Sequence, residues 1–488
     1  MNFANAANHE AQIKLTENGA VAYDRLNSSL LSLFGTIGSL RPRSEQEIEN
    51  KFTTAFNEDN LLAIKLMFYA GNIRGGLGER RTFRVILKNM AYSFPSIIKK
   101  NLACIPLFNR WDSLFELVGT PVENDMWNFI KEQFISDLHG MKEGKSISLL
   151  GKWMPSINTS SEKTRKLARI AMNNLGIRSE RIYRKALTEL RKYLEVVEHQ
   201  MSAQDWGKIK YPNVPSYAMA HYGKAFGRHD YERFNKYIES LNKGETKVNA
   251  STLYPYDLTK NYMGYHTDTN ILAEQQWKAL PNYISGDNNI IVMADVSGSM
   301  SGRPMETSVG LAIYFAEHNK GAYEGLYMTF TDRPHFVKLK KGASLRTKCA
   351  QVMRTDVGYG TNLEAAFAYL LKTAIVNRVS SEEMPKAIVV ISDMEINCYM
   401  RPNYETMNWD FISSMEHKFH QYGYELPKMV LWNVEARQDT FLSQSDKVIF
   451  VSGQSTSTFK TLLTSFEGTS MDMMLNTLND PMYDVVKI

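Results

Sequence analysis

The stretch Asn289–Met300, NIIVMADVSGSM, limits what this chain can fold into more than any other. Ile290, Ile291, Val292 and Met293 form an unbroken apolar run rich in β-branched residues, the pattern of a strand buried on both faces of a parallel sheet. The run stops at a carboxylate, Asp295, and hydroxyls follow at Ser297 and Ser299. Three oxygen-bearing side chains thus alternate just past a strand end. Hard oxygen ligands gathered there suit Mg²⁺ or another hard divalent cation. Strand–helix alternation continues behind this stretch. The patterning predicts a helix near Pro304–His318, a strand pair at Gly325–Thr331 and Phe336–Leu339, and helices near Leu345–Arg354 and Asn362–Asn377. Ala387–Ser392 (AIVVIS) is a second buried strand, and it too ends in an aspartate, Asp393. A helix near Trp409–Tyr422, strands Met429–Asn433 and Val448–Val451, and helices near 456–465 and 470–478 follow. Such alternation implies a doubly wound, mostly parallel sheet covered on both faces.

Two strands ending in Asp295 and Asp393 place both carboxylates at one edge of that sheet. Between them in sequence, Gly358–Asn362 (GYGTN) sets Thr361 just before a predicted helix, at the same edge. Asp295, Ser297, Ser299, Thr361 and Asp393 form an oxygen-only, near-octahedral set with one position left for water or a ligand carboxylate. That chemistry suits Mg²⁺ or Mn²⁺ and disfavours Zn²⁺. Serine and aspartate after a strand also make turns and helix caps; the matching Thr361 and Asp393 are what favour a metal. A phosphoryl-transfer or hydrolytic enzyme is the rival use of a strand-end aspartate, normally beside a second carboxylate. Ser297 stands where that acid is needed, no phosphate-gripping lysine motif follows, and no Cys or Ser has a nucleophile motif. The site is built for binding, not catalysis.

At 488 residues the chain needs two or three domains. The expected division is a weakly ordered, loosely attached 1–45, a helical 46–285 that includes a turn-rich connection at 243–288, and the sheet domain 286–488. Asp59-Asn60 caps a helix over Leu61–Tyr69; NIRGGLGE (72–79) breaks it and Arg80–Ser93 resumes. Further helices are expected at 97–108, 112–118, 124–138, 161–175, 179–199 and 228–241, with no convincing strand among them: an all-α bundle or solenoid. GGLGER lacks the GK[ST] of a phosphate loop and reads as a tight helix–helix turn. His417 and His420 share a helix without further His or Cys nearby and read as a surface pair. Charge is lopsided, with 38 basic against 29 acidic residues in 1–285 and 19 against 23 in the remainder. Different partners for the two halves follow. No apolar run approaches the ~18 residues that span a bilayer. No secretory signal is visible, and Cys104, Cys349 and Cys398 form no CxxC pair, so a cytoplasmic location with reduced thiols is expected.

DVSGSM, GTN and SDME resemble the metal-ion-dependent adhesion site of a von Willebrand factor A domain. The resemblance covers roughly 286–488, assigns Asp295, Ser297, Ser299, Thr361 and Asp393 to its five ligand positions, and implies that a protein partner's acidic residue completes the metal's coordination. The first part resembles the helical region of TROVE-type proteins, the family of the Ro RNA-binding autoantigen, and more closely an uncharacterised relative family with the same domain order. The stretches are IRGGLGERRTF (73–83), RWDSLFEL (110–117), SLLGKWMPSINTSS (148–161), VEHQMSAQDWGKIKYPNVPSYAM (197–219), KAFGRHDYERF (224–234) and NASTLYP (249–255). This resemblance implies a HEAT-like ring of helices that binds structured or single-stranded RNA. Candidate phosphate contacts are Arg74, Arg80, Arg81 and Arg84 around the Gly-rich turn, and Lys163, Lys166 and Arg169 three apart on one helix. Arg181, Arg184, Lys185, Arg191 and Lys192 cluster on the next. Trp153, Tyr183, Tyr217 and Tyr222 offer stacking surfaces. Exposed helix faces are commonly charged and aromatics commonly core, so a metal-dependent protein–protein scaffold without nucleic acid is the alternative.

Overall fold

A computed structural model describes residues 13–15, 21–23, 26, 28–263, 270–284, 289–331, 333–355, 360–396, 411–435, 441, 445, 447–464 and 468–488. Gly358, Tyr359, Cys398 and Trp409 lie outside the described residues, as do parts of the 1–45 and 243–288 segments. Strands β1 (Ile13–Leu15) and β2 (Val21–Tyr23) form an antiparallel hairpin. The main sheet comprises β3 (Ile290–Ala294), β4 (Leu326–Thr329), β5 (Phe336–Lys338), β6 (Ala387–Ser392), β7 (Lys428–Asn433) and β8 (Val448–Ser452). Their order is β5-β4-β3-β6-β7-β8, with every neighbouring pair parallel except β4–β5. The chain runs outward from β3 to β4, then crosses back to β6 on the other side of β3. The carboxyl ends of β3 and β6 therefore flank the point where strand order reverses, the place where open α/β sheets bind ligands.

All of β3 and β6 is buried, and their side chains alternate between two cores. Ile290, Val292 and Ala294 face the helix Arg303–His318, while Ile291 and Met293 face the helices Leu363–Asn377 and Phe411–Gln421. The first core runs without a break into the amino-terminal helices, from Leu30 to Leu190. Among the described residues of 46–280 the expected helical character holds, with corrected boundaries. The span 97–108 is two helices, Pro95–Lys100 and Cys104–Phe108, and 112–118 is the 3-10 helix Trp111–Leu117. Glu180–Tyr193 and Val197–Ser202 replace one long helix, because Glu195 turns through a left-handed conformation (φ 50°). The span 228–241 is the end of one helix, Ser216–His229, and nearly all of the next, Tyr231–Asn242. The connection carries Pro255–Thr259 and Ile271–Lys278. Val197, Tyr211, Phe226 and Leu241 belong to a smaller core of their own.

The expectation of a loosely attached 1–45 fails for residues 28–45. Helix Ser29–Thr36 is capped by the Ser28 hydroxyl and buries Leu30, Leu33 and Phe34, with Ile37 and Leu40 following. It packs on β8 so closely that a Cβ on Gly38 would lie 2.6 Å from the Ser452 carbonyl carbon, and Gly38 N donates to Ser452 Oγ at 2.9 Å. The carboxyl terminus reaches back across the helical half. Asn72 Nδ2 donates to Tyr483 Oη (3.0 Å), and Asn101 exchanges hydrogen bonds with the Lys487 backbone. The GGLGE turn joins these parts. Ser457 Oγ donates to Gly76 O at 3.1 Å, Tyr254 Oη donates to Leu77 O at 3.3 Å, and Gly78 has φ 65° with Tyr254 filling the space a Cβ would need. That turn is a helix–helix connection, as expected, and also a junction between the halves.

Candidate metal centre and nucleic-acid interface

Asp295 follows β3 and is fully buried. Its backbone N–H extends the ladder to Ile391 O (3.0 Å), which holds the carboxylate beside the end of β6. Ser392 Oγ donates to Asp295 Oδ2 at 2.5 Å and Ser297 N donates to Oδ1 at 2.9 Å. Ser297 and Ser299, on a turn that tightens into the 3-10 helix Gly298–Met300, have their hydroxyls 3.0 Å apart. On the β6 side, Glu395 N donates to Asp393 Oδ1 (3.1 Å) and Thr361 Oγ1 donates to Glu395 O (3.0 Å). The same backbone residue therefore ties Thr361 to Asp393. Met394 between them adopts φ 66°, an unusual conformation for a large non-glycine residue, and this bends the chain back on Asp393. All five sequence-predicted ligands thus stand at one sheet edge.

Burial pushes the Asp295 carboxyl up to about 6; hydrogen bonds from Ser392 and Ser297 oppose this and the nearby Asp393 carboxylate adds to it. Among the described residues no three His, Cys, Asp or Glu side chains gather in a metal-binding group. The donor set here is two carboxylates and three hydroxyls, all hard oxygen, and it fits Mg²⁺ or Mn²⁺. Ser392 was not foreseen as a partner of Asp295. Its one signal is its place beside Asp393 at the end of AIVVIS.

In the helical half, a cleft of about 1490 Å³ opens between the helices that begin at Leu150, Glu180, Val197 and Ser216. Of the sequence-predicted cations, Arg181, Arg184, Lys185 and Arg191 line it; of the aromatics, Trp153, Tyr217 and Tyr222 do. Arg181, Arg184 and Lys185 are exposed, sit on one helix face at spacings of three and four, and form no ion pair among the described residues. Tyr217 is 58% exposed and lies parallel to His221, with ring centroids 5.8 Å apart. Arg110, Lys152 and Lys210 also line the cleft and were missed, as isolated cations without a charge run. The guanidinium of Arg110 covers Trp153 at 3.9 Å, Lys152 lies 3.9 Å from Glu198, and Lys210 is paired with Glu195 at 2.7 Å.

Other candidates have structural work. Arg191 donates to Gly151 O, Met154 O and Ser156 Oγ, which fastens its helix to the preceding loop and leaves little for a phosphate. Arg84 binds Ser113, Asp112 and Glu116, and Arg81 donates to the Arg41 and Arg43 carbonyls. Tyr183 is fully buried, its hydroxyl donating to Pro155 O; it is core, not a stacking surface. Arg74 donates to Leu107 O. Lys163, Lys166, Arg169 and Lys192 are exposed but lie outside the cleft lining, with Lys166 paired to Glu162 and Arg169 to Glu180. His417 and His420 are exposed; His417 meets Gln421 and His420 meets Glu425. Among the described residues no helix is long and apolar enough to cross a membrane.

Comparison with known proteins matches two stretches to family models. Residues 128–288 match a domain of unknown function, DUF2828, and residues 289–481 match another, DUF7788. The two meet between the helical region and β3. Over 96% of its length the chain is 29% identical to an uncharacterized protein of Acanthamoeba polyphaga mimivirus, covering 87% of that protein. The helical region and the sheet domain therefore occur together in a viral relative of nearly the same extent.

Proposed function

We propose that the chain is a Ro-like, non-catalytic RNA-binding protein whose sheet domain is of the von Willebrand factor A type and carries a Mg²⁺ or Mn²⁺ site. The observation that carries this reading is the cleft. Three cations without ion-pair partners among the described residues and the rings of Trp153, Tyr217 and Tyr222 share one concave surface, the pairing that tracks a backbone while stacking bases. Phosphates would lie along Arg181, Arg184 and Lys185, with bases against the aromatic wall. At the sheet edge Asp295, Ser297, Ser299, Thr361 and Asp393 would hold the metal. With few charges around it, the cation would stay electrophilic toward an acidic side chain of a protein partner. Buried free Cys104 and Cys349 suit a reducing cytoplasm.

Fluorescence anisotropy of the full chain with single-stranded and hairpin RNA, titrated across salt, tests the reading. Binding at low salt should weaken at least tenfold in the Arg181→Ala/Arg184→Ala/Lys185→Ala variant. Its log–log salt slope should also be shallower by about 2, from three lost phosphate contacts at roughly 0.7 each. No binding at low salt, or a variant identical to wild type, contradicts it.

A further inference from the structure

At the rim of the cleft nearest the Gly-rich turn, two guanidiniums grip two carboxylates, with a third arginine one helical turn away. Asp112 is shared between Arg110, which grips both its oxygens (Nε to Oδ1 at 2.9 Å), and Arg84 (2.9 Å); Glu116 binds Arg84 as well, at 3.2 Å. Arg80, one helical turn before Arg84 and on the same face of the helix, forms no ion pair among the described residues and feels the charges of Arg110, Arg84 and Asp112. Burial and then the like charges of Arg110 and Arg84 lower its pKa, and three guanidiniums against two carboxylates leave the cluster net positive. Arg110 is also fixed in place: its guanidinium lies over the Trp153 ring at 3.9 Å, and among the described residues Nη1 makes no hydrogen bond. Held arginines with spare donors are anion receptors.

The kind of anion follows from charge. An internal phosphodiester carries one charge and suits the spaced Arg181, Arg184 and Lys185. A phosphate monoester carries about −1.5 to −2 near pH 7 with three acceptor oxygens, which matches a concentrated cluster beside the row. We propose that Arg80 and Arg110, with Trp153 behind and Tyr217 alongside, seat a terminal phosphate monoester of the bound strand. The inference rests on the reading of the cleft as an RNA site. It adds that the protein selects an end, not only a strand.

Anisotropy with one short RNA prepared in four forms tests it: 5′-phosphate, 5′-hydroxyl, 3′-phosphate and 3′-hydroxyl. One phosphorylated end should bind about tenfold tighter than its hydroxyl counterpart. That ratio should fall toward one in Arg80→Ala and in Arg110→Gln. Arg80→Ala carries the result if loss of the Asp112 contacts unfolds Arg110→Gln, since Arg80 makes no ion pair among the described residues. RNA that binds with both phosphorylated ends equal to their hydroxyl forms overturns this inference alone. An end preference that persists in Arg80→Ala also overturns it. Failure of every RNA to bind overturns it together with the reading of the cleft.

Discussion

Asp295 concentrates the chemistry of the sheet edge in one residue. It is buried, beside another carboxylate, and its folded-state pKa of about 6 lies above the value near 3.8 of an exposed aspartate. The sign of the pH dependence follows. In metal-free protein this group contributes stability below pH 3.8 that is lost as pH rises through about 6. Chemical denaturation in chelator should therefore show the wild type losing stability relative to Asp295→Asn as pH rises from about 4 to about 6, by at most roughly 1.4 kcal/mol per pH unit, with little further change above that. A bound cation reverses the balance at neutral pH. Added Mg²⁺ should raise the wild-type stability by about 1.4 kcal/mol per tenfold excess over Kd, and Asp295→Asn should not respond. Equal Mg²⁺ response in both proteins would remove the metal assignment. The shared position of the five candidate ligands was legible in the sequence because apolar runs that end in aspartate fix strand ends, and strand ends in a parallel sheet share an edge. The positive φ of Met394 and the Ser392–Asp295 hydrogen bond were not, since neither follows from residue type at a spacing.

Elements were less legible than residues wherever tertiary packing decides. Helix Ser29–Thr36 shows apolar Leu30, Leu33 and Phe34 at helical spacing, but a polar lead-in hides it, and β8 together with the helices Glu45–Glu58, Asn60–Gly71 and Ser470–Leu478 gives that face something to cover. Its close approach makes a prediction. Gly38→Ala would force a Cβ against the Ser452–Gly453 backbone, 2.6–2.7 Å away, with no flexible side chain to yield. Urea unfolding should show a loss of about 1–3 kcal/mol; a neutral change would mean the helix is not seated on β8 as described. Helix boundaries drifted for a related reason. Periodicity runs straight through Lys192–Val197, while the backbone turns at Glu195 to deliver Val196 and Val197 to buried positions. In the basic helices, sequence could name Arg181 and Arg191 but could not separate them. Both line the cleft, but Arg181 has no ion-pair partner among the described residues, whereas Arg191 is held by three acceptors.

The whole molecule is more integrated than two units on a connector. One core extends from Leu30 through the amino-terminal helices to β3, β6, β7 and β8, and the carboxyl-terminal Tyr483 and Lys487 are tied to Asn72 and Asn101. Buried Trp127 in the helical half and Trp432 in β7 belong to that same core. Thermal unfolding followed by far-UV circular dichroism and by tryptophan fluorescence should therefore give one coincident transition; two separated transitions would contradict the shared core. Composition had pointed to contrasting halves, and charge does divide them, but charge resides on surfaces and says nothing of how cores merge. The central claim is that RNA lies in the cleft between the helices that begin at Leu150, Glu180 and Ser216. Ultraviolet cross-linking of the full chain to uniformly labelled RNA, with cross-linked peptides identified by mass spectrometry, examines it directly. Cross-links should fall on peptides containing Trp153, Tyr217 and Tyr222. Cross-links confined to the outer helix faces around Lys163 and Arg169, or to the sheet domain, would contradict it.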